Sequence, residues 1–220
     1  MMFKRAVDVT GALSGLLLCF PVFIILPVLI KLDSPGPVFF RQLRVGFNRR
    51  RSDRRSMEIP AARDRRSNDR RQNNLYGKPF MIYKFRTMRQ DAEKHSGPVW
   101  ASKNDPRITP LGRFLRASRL DEIPQLINVL KGEMSLVGPR PERPYFIEKL
   151  RTQIDFYESR MNVKPGITGL AQVEHGYDQD IDDVRKKVNF DLEYIRRWNV
   201  YHDFKIMLKT VVVMVGGRGM

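Results

Sequence analysis

From Ala6 to Leu32 almost every position is apolar, the exceptions being Asp8, Thr10, Ser14 and Lys31. An apolar run of this length is enough to cross a bilayer. The stretch after it, Lys31-Leu32-Asp33-Ser34-Pro35-Gly36-Pro37, offers no small-residue cleavage site, and the run is longer than the apolar core of a signal peptide, so the segment is expected to persist in the mature protein. Positive charge flanks both ends, Lys4 and Arg5 before it and Lys31, Arg41 and Arg44 after it, which draws both ends to the cytoplasmic side. Pro21 lies mid-run, where it has no N–H to donate and its ring presses on the carbonyl of Leu17. Two topologies stay open on these grounds, a re-entrant helix-break-helix and a kinked transmembrane helix.

Beyond a turn at Pro35-Gly36-Pro37, residues 38–45 and 80–86 are strand-like and suited to pair as a hairpin. Helical patterns come next at 107–117, at 122–131 with Gly132 as terminator, at 142–160, and at 182–198 with a stripe of Val184, Val188, Leu192 and Ile195. The apolar stretch 204–215 is too short to span, so it packs in a core or lies in the headgroup plane. These elements predict a mainly helical α+β fold, with a membrane hairpin at 1–33 and one further domain at 34–220.

Between the two strands, residues 49–74 carry ten arginines, three aspartates and one glutamate. Little there can be buried, so the segment is expected to be a disordered insertion, serving either as a solvated linker or as a grip on anionic headgroups. The whole chain, with 40 Lys and Arg against 24 Asp and Glu, has a formal charge of +16, which favours anionic partners without choosing among them. Its single cysteine, Cys19, excludes an internal disulfide and is expected to be a small buried hydrophobe.

The candidate chemistry centres on Asp121-Glu122, an acidic pair ahead of an apolar helical run and close to Arg116 and Arg119. Adjacent carboxylates repel, and these arginines with the helix N-terminus can offset the repulsion. Simple N-terminal capping is the competing account of the pair. Arg140 stands between Pro139 and Pro141, which restricts its backbone and can aim its guanidinium as a phosphate clamp. The loop 164–173 has glycines for close approach to a ligand, with Thr168 and Gln172 as polar contacts, and its spacing matches neither a Walker loop nor a dinucleotide fingerprint.

Taken together, the segments resemble the bacterial sugar transferases of the monotopic phosphoglycosyl transferase type. The resemblance runs along nearly the whole chain. It rests on Lys4-Arg5 with Asp8, on Asp33-Ser34-Pro35-Gly36-Pro37-Val38-Phe39-Phe40-Arg41-Gln42, on Tyr83-Lys84-Phe85-Arg86-Thr87-Met88, on Leu120-Asp121-Glu122-Ile123-Pro124-Gln125, on Gly138-Pro139-Arg140-Pro141, and on Pro165-Gly166-Ile167-Thr168-Gly169.

That resemblance implies transfer of a sugar-1-phosphate from a nucleotide sugar, a UDP-sugar in most of the family, to polyprenyl (undecaprenyl) phosphate. The reaction is the first membrane step of exopolysaccharide, O-antigen or glycoconjugate synthesis. Asp121 is the implied covalent nucleophile, and Glu122 with Asp121 the implied holder of Mg²⁺. Arg116 and Arg140 are the implied phosphate ligands, Lys84 is a further basic candidate for substrate binding, and Asp191 falls where the family also places an acid. It further implies a re-entrant hairpin broken at Pro21, an anionic phospholipid membrane as partner, and the bacterial inner membrane as location with the catalytic domain on the cytoplasmic face. A homodimer is left open and no nucleic acid is expected. The chain departs from the family at Phe20-Pro21, where a serine often precedes the proline, and in the 49–74 insertion, whose role cannot be inherited. It corresponds to the short, catalytic-core form. A membrane-tethered basic adaptor that binds nucleic acid or anionic lipid through residues 49–71 is the alternative from another functional class.

Overall fold

In a computed structural model of the chain, which describes residues 2–48, 77–92, 105–175 and 181–215, the apolar N-terminus forms α1 (Met2–Leu18) and α2 (Phe20–Asp33). The two helices are bent by 58°. The break falls on Cys19, whose N–H donates to Gly15 O (2.9 Å) and whose carbonyl accepts from Val22 N (3.0 Å). Pro21 therefore stands in the first turn of α2, where a missing donor costs nothing, rather than at the break itself. Cys19 is half-buried, more open than the core position expected for it. No single helix among the described residues is long and apolar enough to cross a membrane.

The expected hairpin is present as β1 (Phe39–Val45) and β2 (Pro79–Phe85), antiparallel, in a register that sets Phe40 opposite Lys84. The arginine-rich segment 49–74 lies outside the described residues. Then come α3 (Pro110–Ala117), a 3-10 turn (Leu120–Glu122), α4 (Gln125–Lys131) and β3 (Ser135–Val137). After them the chain forms α5 (Pro144–Leu150), a second 3-10 turn (Tyr157–Asn162), β4 (Gly166–Thr168), α6 (Leu170–Glu174), α7 (Ile181–Arg196) and α8 (Val200–Val215). Strands β3 and β4 pair in parallel, Ser135 with Gly166 and Val137 with Thr168. The fold is thus α+β and mainly helical.

Three boundaries differ from the periodicity. Thr109 Oγ1 accepts from Gly112 N (3.0 Å), so α3 starts at Pro110 rather than at 107. The run 122–131 divides into the 3-10 turn and α4, which does end at Gly132 (φ 79) as expected. The single helix expected over 142–160 is two pieces, because Phe156 adopts a left-handed backbone (φ 58) that no α-helix accommodates. The break brings Ile154, Tyr157 and Met161 into one core with Ile147 of α5 and Val184 and Val188 of α7.

Both N-terminal helices are built into this body. Ala12 packs with Phe80, Ile82, Val129 and Met134, and Leu26 and Ile30 pack with Phe85 and Leu115. The charged turns of α1 face inward as well. Asp8 accepts from Ser135 Oγ (2.8 Å) and Leu136 N (3.0 Å), Lys4 pairs with Asp203 (2.6 Å), and Arg5 donates to the carbonyls of Val129 (2.6 Å) and Leu130 (2.8 Å) at the end of α4. Helix α8 buries Ile206 against Val137, Leu170 and Tyr194, while Tyr201, Phe204, Leu208, Val211 and Val212 stay exposed at helical spacing.

Candidate active site

The site is assembled at the point where β2, the Leu120–Glu122 turn and the loop after β3 converge. Arg119 in a left-handed conformation (φ 55) ends α3 and turns the chain into the 3-10 segment, so Asp121 and Glu122 point into the body and make no capping bond to α4. Both carboxylates are buried, 6% and 5% exposed. Two ionised acids in sequence at that depth require cations. Lys84 supplies one from β2, with Nζ at 2.6 Å from Glu122 Oε1 and 3.7 Å from Asp121 Oδ2. Arg140 supplies another, Nη2 lying 2.7 Å from the same Glu122 oxygen, and Arg119 Nη1 stands 3.7 Å from Oε2.

This arrangement separates the two acids electrostatically. Burial works against ionised Glu122, but Arg140, Lys84 and Arg119 outweigh it and hold that carboxyl well below the ordinary range. Asp121 is the opposite case. Burial pushes its carboxyl up, the charge of Glu122 adds to the rise, and Lys84, Arg140 and half-buried Arg116 only partly restrain it. Burial also draws the Lys84 ammonium below its usual value against the pull of Glu122. A proton entering the pair therefore goes to Asp121, and Glu122 keeps the negative charge. Arg140, whose side chain is 33% exposed, stays charged and keeps a route to solvent.

Behind Arg140 lies a second layer. Arg160 donates through Nη2 to the Arg140 carbonyl (3.1 Å), through Nε to Asp191 (2.6 Å) and through Nη1 to the Tyr157 hydroxyl (3.0 Å). Asp191 is thus linked to the acid pair through Arg160 and the Arg140 backbone. Glu142, paired with Lys187 (3.1 Å) and Arg44 (3.5 Å), ties β1 to α7 in the same layer.

Thr168 and Gln172 are not brought to the carboxylates. Thr168 Oγ1 bonds Thr210 Oγ1 (2.7 Å) on α8, and Gln172 Nε2 donates to Ile167 O (3.2 Å) in its own loop. The glycines of that loop admit another stretch of chain: a Cβ at Gly166 would lie 2.1 Å from Gly138 N, and one at Gly169 2.3 Å from Gly138 O. Close approach is indeed their purpose, and the neighbour is the loop that carries Arg140.

Sequence reasoning passed over Arg160, Glu142 and Arg44. Each sits among other polar or charged residues, Glu142 between Pro141 and Arg143 and Arg160 after Glu158 and Ser159, so nothing local marks it as buried. Two carboxylates suit Mg²⁺, which takes one or two protein carboxylates and completes its shell with phosphate oxygens and water. No larger cluster of metal-ligating side chains occurs among the described residues.

A model of the bacterial sugar transferase family matches residues 1–73 and 64–217. The chain is 40% identical over 216 residues to a UDP-N-acetylgalactosamine-undecaprenyl-phosphate N-acetylgalactosaminephosphotransferase of Aeromonas hydrophila, an alignment covering 98% of this chain and 44% of that one. It is 42% identical over 212 residues to a UDP-glucose:undecaprenyl-phosphate glucose-1-phosphate transferase of Escherichia coli K12, with 96% and 39% covered. A UDP-glucose:undecaprenyl-phosphate glucose-1-phosphate transferase of Caulobacter vibrioides is 37% identical over 212 residues, with 94% and 68% covered. The chain thus spans less than half the length of the first two relatives. With the family model matching nearly its whole length, the chain belongs to the bacterial sugar transferases.

Proposed function

We propose that this chain transfers a sugar-1-phosphate from a UDP-sugar to undecaprenyl phosphate, with Asp121 as covalent nucleophile. The observation that carries the reading is the pair of buried carboxylates clasped unequally by cations, Glu122 by Lys84 (2.6 Å) and Arg140 (2.7 Å) and Asp121 by Lys84 at 3.7 Å. One acid remains ionised to balance the cations. The other, less crowded by them, is the better nucleophile, since basicity and nucleophilicity rise together.

In the first step an oxygen of Asp121 bonds to the phosphorus that bears the sugar. The bond from that phosphorus to the bridging oxygen breaks, and UMP leaves with the electron pair. In the second step an oxygen of the lipid phosphate bonds to the same phosphorus, the Asp121–phosphorus bond breaks, and the carboxylate is restored. Arg140 and Arg116 bind phosphate oxygens, and Lys84 keeps Asp121 ionised and in place. Mg²⁺ would be held by Glu122 and Asp121, and when bound it neutralises diphosphate charge.

The same reading sets the enzyme on the cytoplasmic face of the inner membrane, with α1 and α2 as a re-entrant pair. Support comes from packing: α1 through Ala12 and α2 through Ile30 rest on one body, so both ends of the pair lie on one side. The exposed residues near the break, Leu17, Leu18, Phe20 and Ile24, are apolar.

The test is Asp121→Asn, measured by UMP release from a panel of UDP-sugars and by intact-protein mass. The expected result is loss of both turnover and the phosphosugar adduct seen with the unaltered protein. Wild-type release of UMP by the variant would remove Asp121 from the role.

A further inference from the structure

Two motifs are not used by this chemistry, the turn at Asp33–Pro37 and the Arg86 that comes after Lys84-Phe85, and the fold interlocks them. Arg86 is 7% exposed. Its Nη2 donates to Ile30 O (3.1 Å), to Ser34 O and to Ser34 Oγ (3.0 Å), and its Nη1 donates to Pro35 O (3.0 Å). One guanidinium gathers the carbonyls at the exit of α2, joining the Ser34 N–H on Ile30 O (3.2 Å) and taking those of Ser34 and Pro35 beyond the helix end. Gly36 makes room for it. The backbone there is left-handed (φ 125), and a Cβ would lie 2.2 Å from Arg86 Nη1.

Arg86 thus fastens the end of the bent helix pair to the strand that carries Lys84. Phe85, between the two, packs on Leu26 and Ile30 of α2 and on Leu115 of α3, the helix that leads into the acid turn. An acceptor whose tail lies in the bilayer reaches Asp121 only if the membrane-facing helices and the acid pair are held at a fixed relative height. The donor arrives from water and needs no such register.

We propose that Arg86 is a positioning residue for the lipid acceptor, setting the height of the helix pair against the acid pair through the α2 exit. This rests on the reading of the site as a two-step transferase. It acts on the second step, attack by the lipid phosphate, and not on adduct formation.

The two steps can be measured apart. UMP released in a single turnover without lipid reports the first, and transfer of labelled phosphosugar from the preformed adduct to undecaprenyl phosphate in nanodiscs reports the second. Arg86→Lys keeps the charge but loses the planar fork. It is expected to leave the first step within about twofold of wild type and to slow the second about tenfold, the scale of one lost charge-assisted hydrogen bond. Gly36→Ala should show the same split, since it displaces the guanidinium while keeping every donor, and it carries the test if Arg86→Lys does not fold in thermal melts. Equal slowing of both steps, as a merely structural role would give, or an unchanged second step, overturns the inference alone. Wild-type protein that forms no adduct overturns the reading of the site, and this inference with it.

Discussion

Replacing Lys84 with methionine preserves much of the side chain's length and removes the ammonium that stands 3.7 Å from Asp121 Oδ2. Between unit charges at 3.7 Å, an effective dielectric near 20 gives about 4 kcal/mol. Both groups are mostly buried, 16% and 9% exposed, but water entering the vacated space and the remaining charge of Arg140 reduce the effect to about half of that. The sign comes from the charge. Lys84 favours the ionised form of Asp121, so its loss raises a carboxyl that burial already holds high. The nucleophile must be ionised, and the acid limb of adduct formation should therefore move to higher pH in Lys84→Met. Because the two carboxylates titrate as a unit, the limb belongs to the pair. Quenched-flow measurement of the UMP burst against pH gives the limb directly. A limb that stays in place while the amplitude falls would mean that Lys84 binds substrate and does not tune the nucleophile. A limb that moves down would refute the electrostatic argument outright.

Two further predictions concern the layer behind the site. Glu142, held down to about 2 by Lys187 and Arg44 against the cost of burial, contributes stability that is fully present above its unfolded-state value and is lost as pH falls through the folded one. Glu142→Gln should thus cost about 3 kcal/mol near neutral pH in chemical denaturation. The difference from wild type should shrink between about pH 4.5 and about pH 2, as wild-type Glu142 itself protonates. Asp191→Asn takes from buried Arg160 the carboxylate that pairs with it beneath Arg140, so the donor KM should rise about tenfold. A kcat loss at constant KM would instead place Asp191 in the chemical step.

What the sequence made legible was local. The strand-like runs 38–45 and 80–86 are the hairpin, Gly132 ends its helix, and Asp121-Glu122 stands out because adjacent acids before an apolar run need compensation. Lys84 and Arg140 could be named from their motifs, but their meeting on one Glu122 oxygen depends on contacts 38 and 18 residues apart. Such contacts leave no periodic trace. The helix expected over 142–160 fails for a related reason. Its apolar spacing suits a helix, and the left-handed Phe156 is imposed by the need to bury Ile154, Tyr157 and Met161 against α7. Thr168 and Gln172 stand in a glycine-rich loop of the kind that approaches ligands, and here the approach is to Gly138.

The same distinction between local pattern and long-range contact bears on how a re-entrant N-terminus would meet the membrane. Counted as hydropathy, residues 6–32 are long enough to span. Counted as structure, much of that length is already committed. On α1, Lys4, Asp8 and Ala12 are held by the body, and on α2, Leu26 and Ile30 are. From Ala12 to the break at Cys19, and from the break to Leu26, each leg rises only about 10 Å at 1.5 Å per residue. A hydrocarbon core is about 30 Å thick, and because the legs are bent by 58° rather than folded back on each other, the tip of a symmetric pair would reach only about 5 Å, roughly a sixth of the way through it. Lys4, Arg5 and Asp8, the charges at the start of the apolar run, are the residues that anchor α1 to the domain. The exposed apolar residues around the break, Leu13, Leu17, Leu18, Phe20, Ile24 and Ile25, are those that a shallow, one-leaflet insertion would cover. That depth would place the exit of α2, and Arg86 with it, at the headgroup level, where a lipid phosphate and a water-borne nucleotide sugar can reach the same carboxylate.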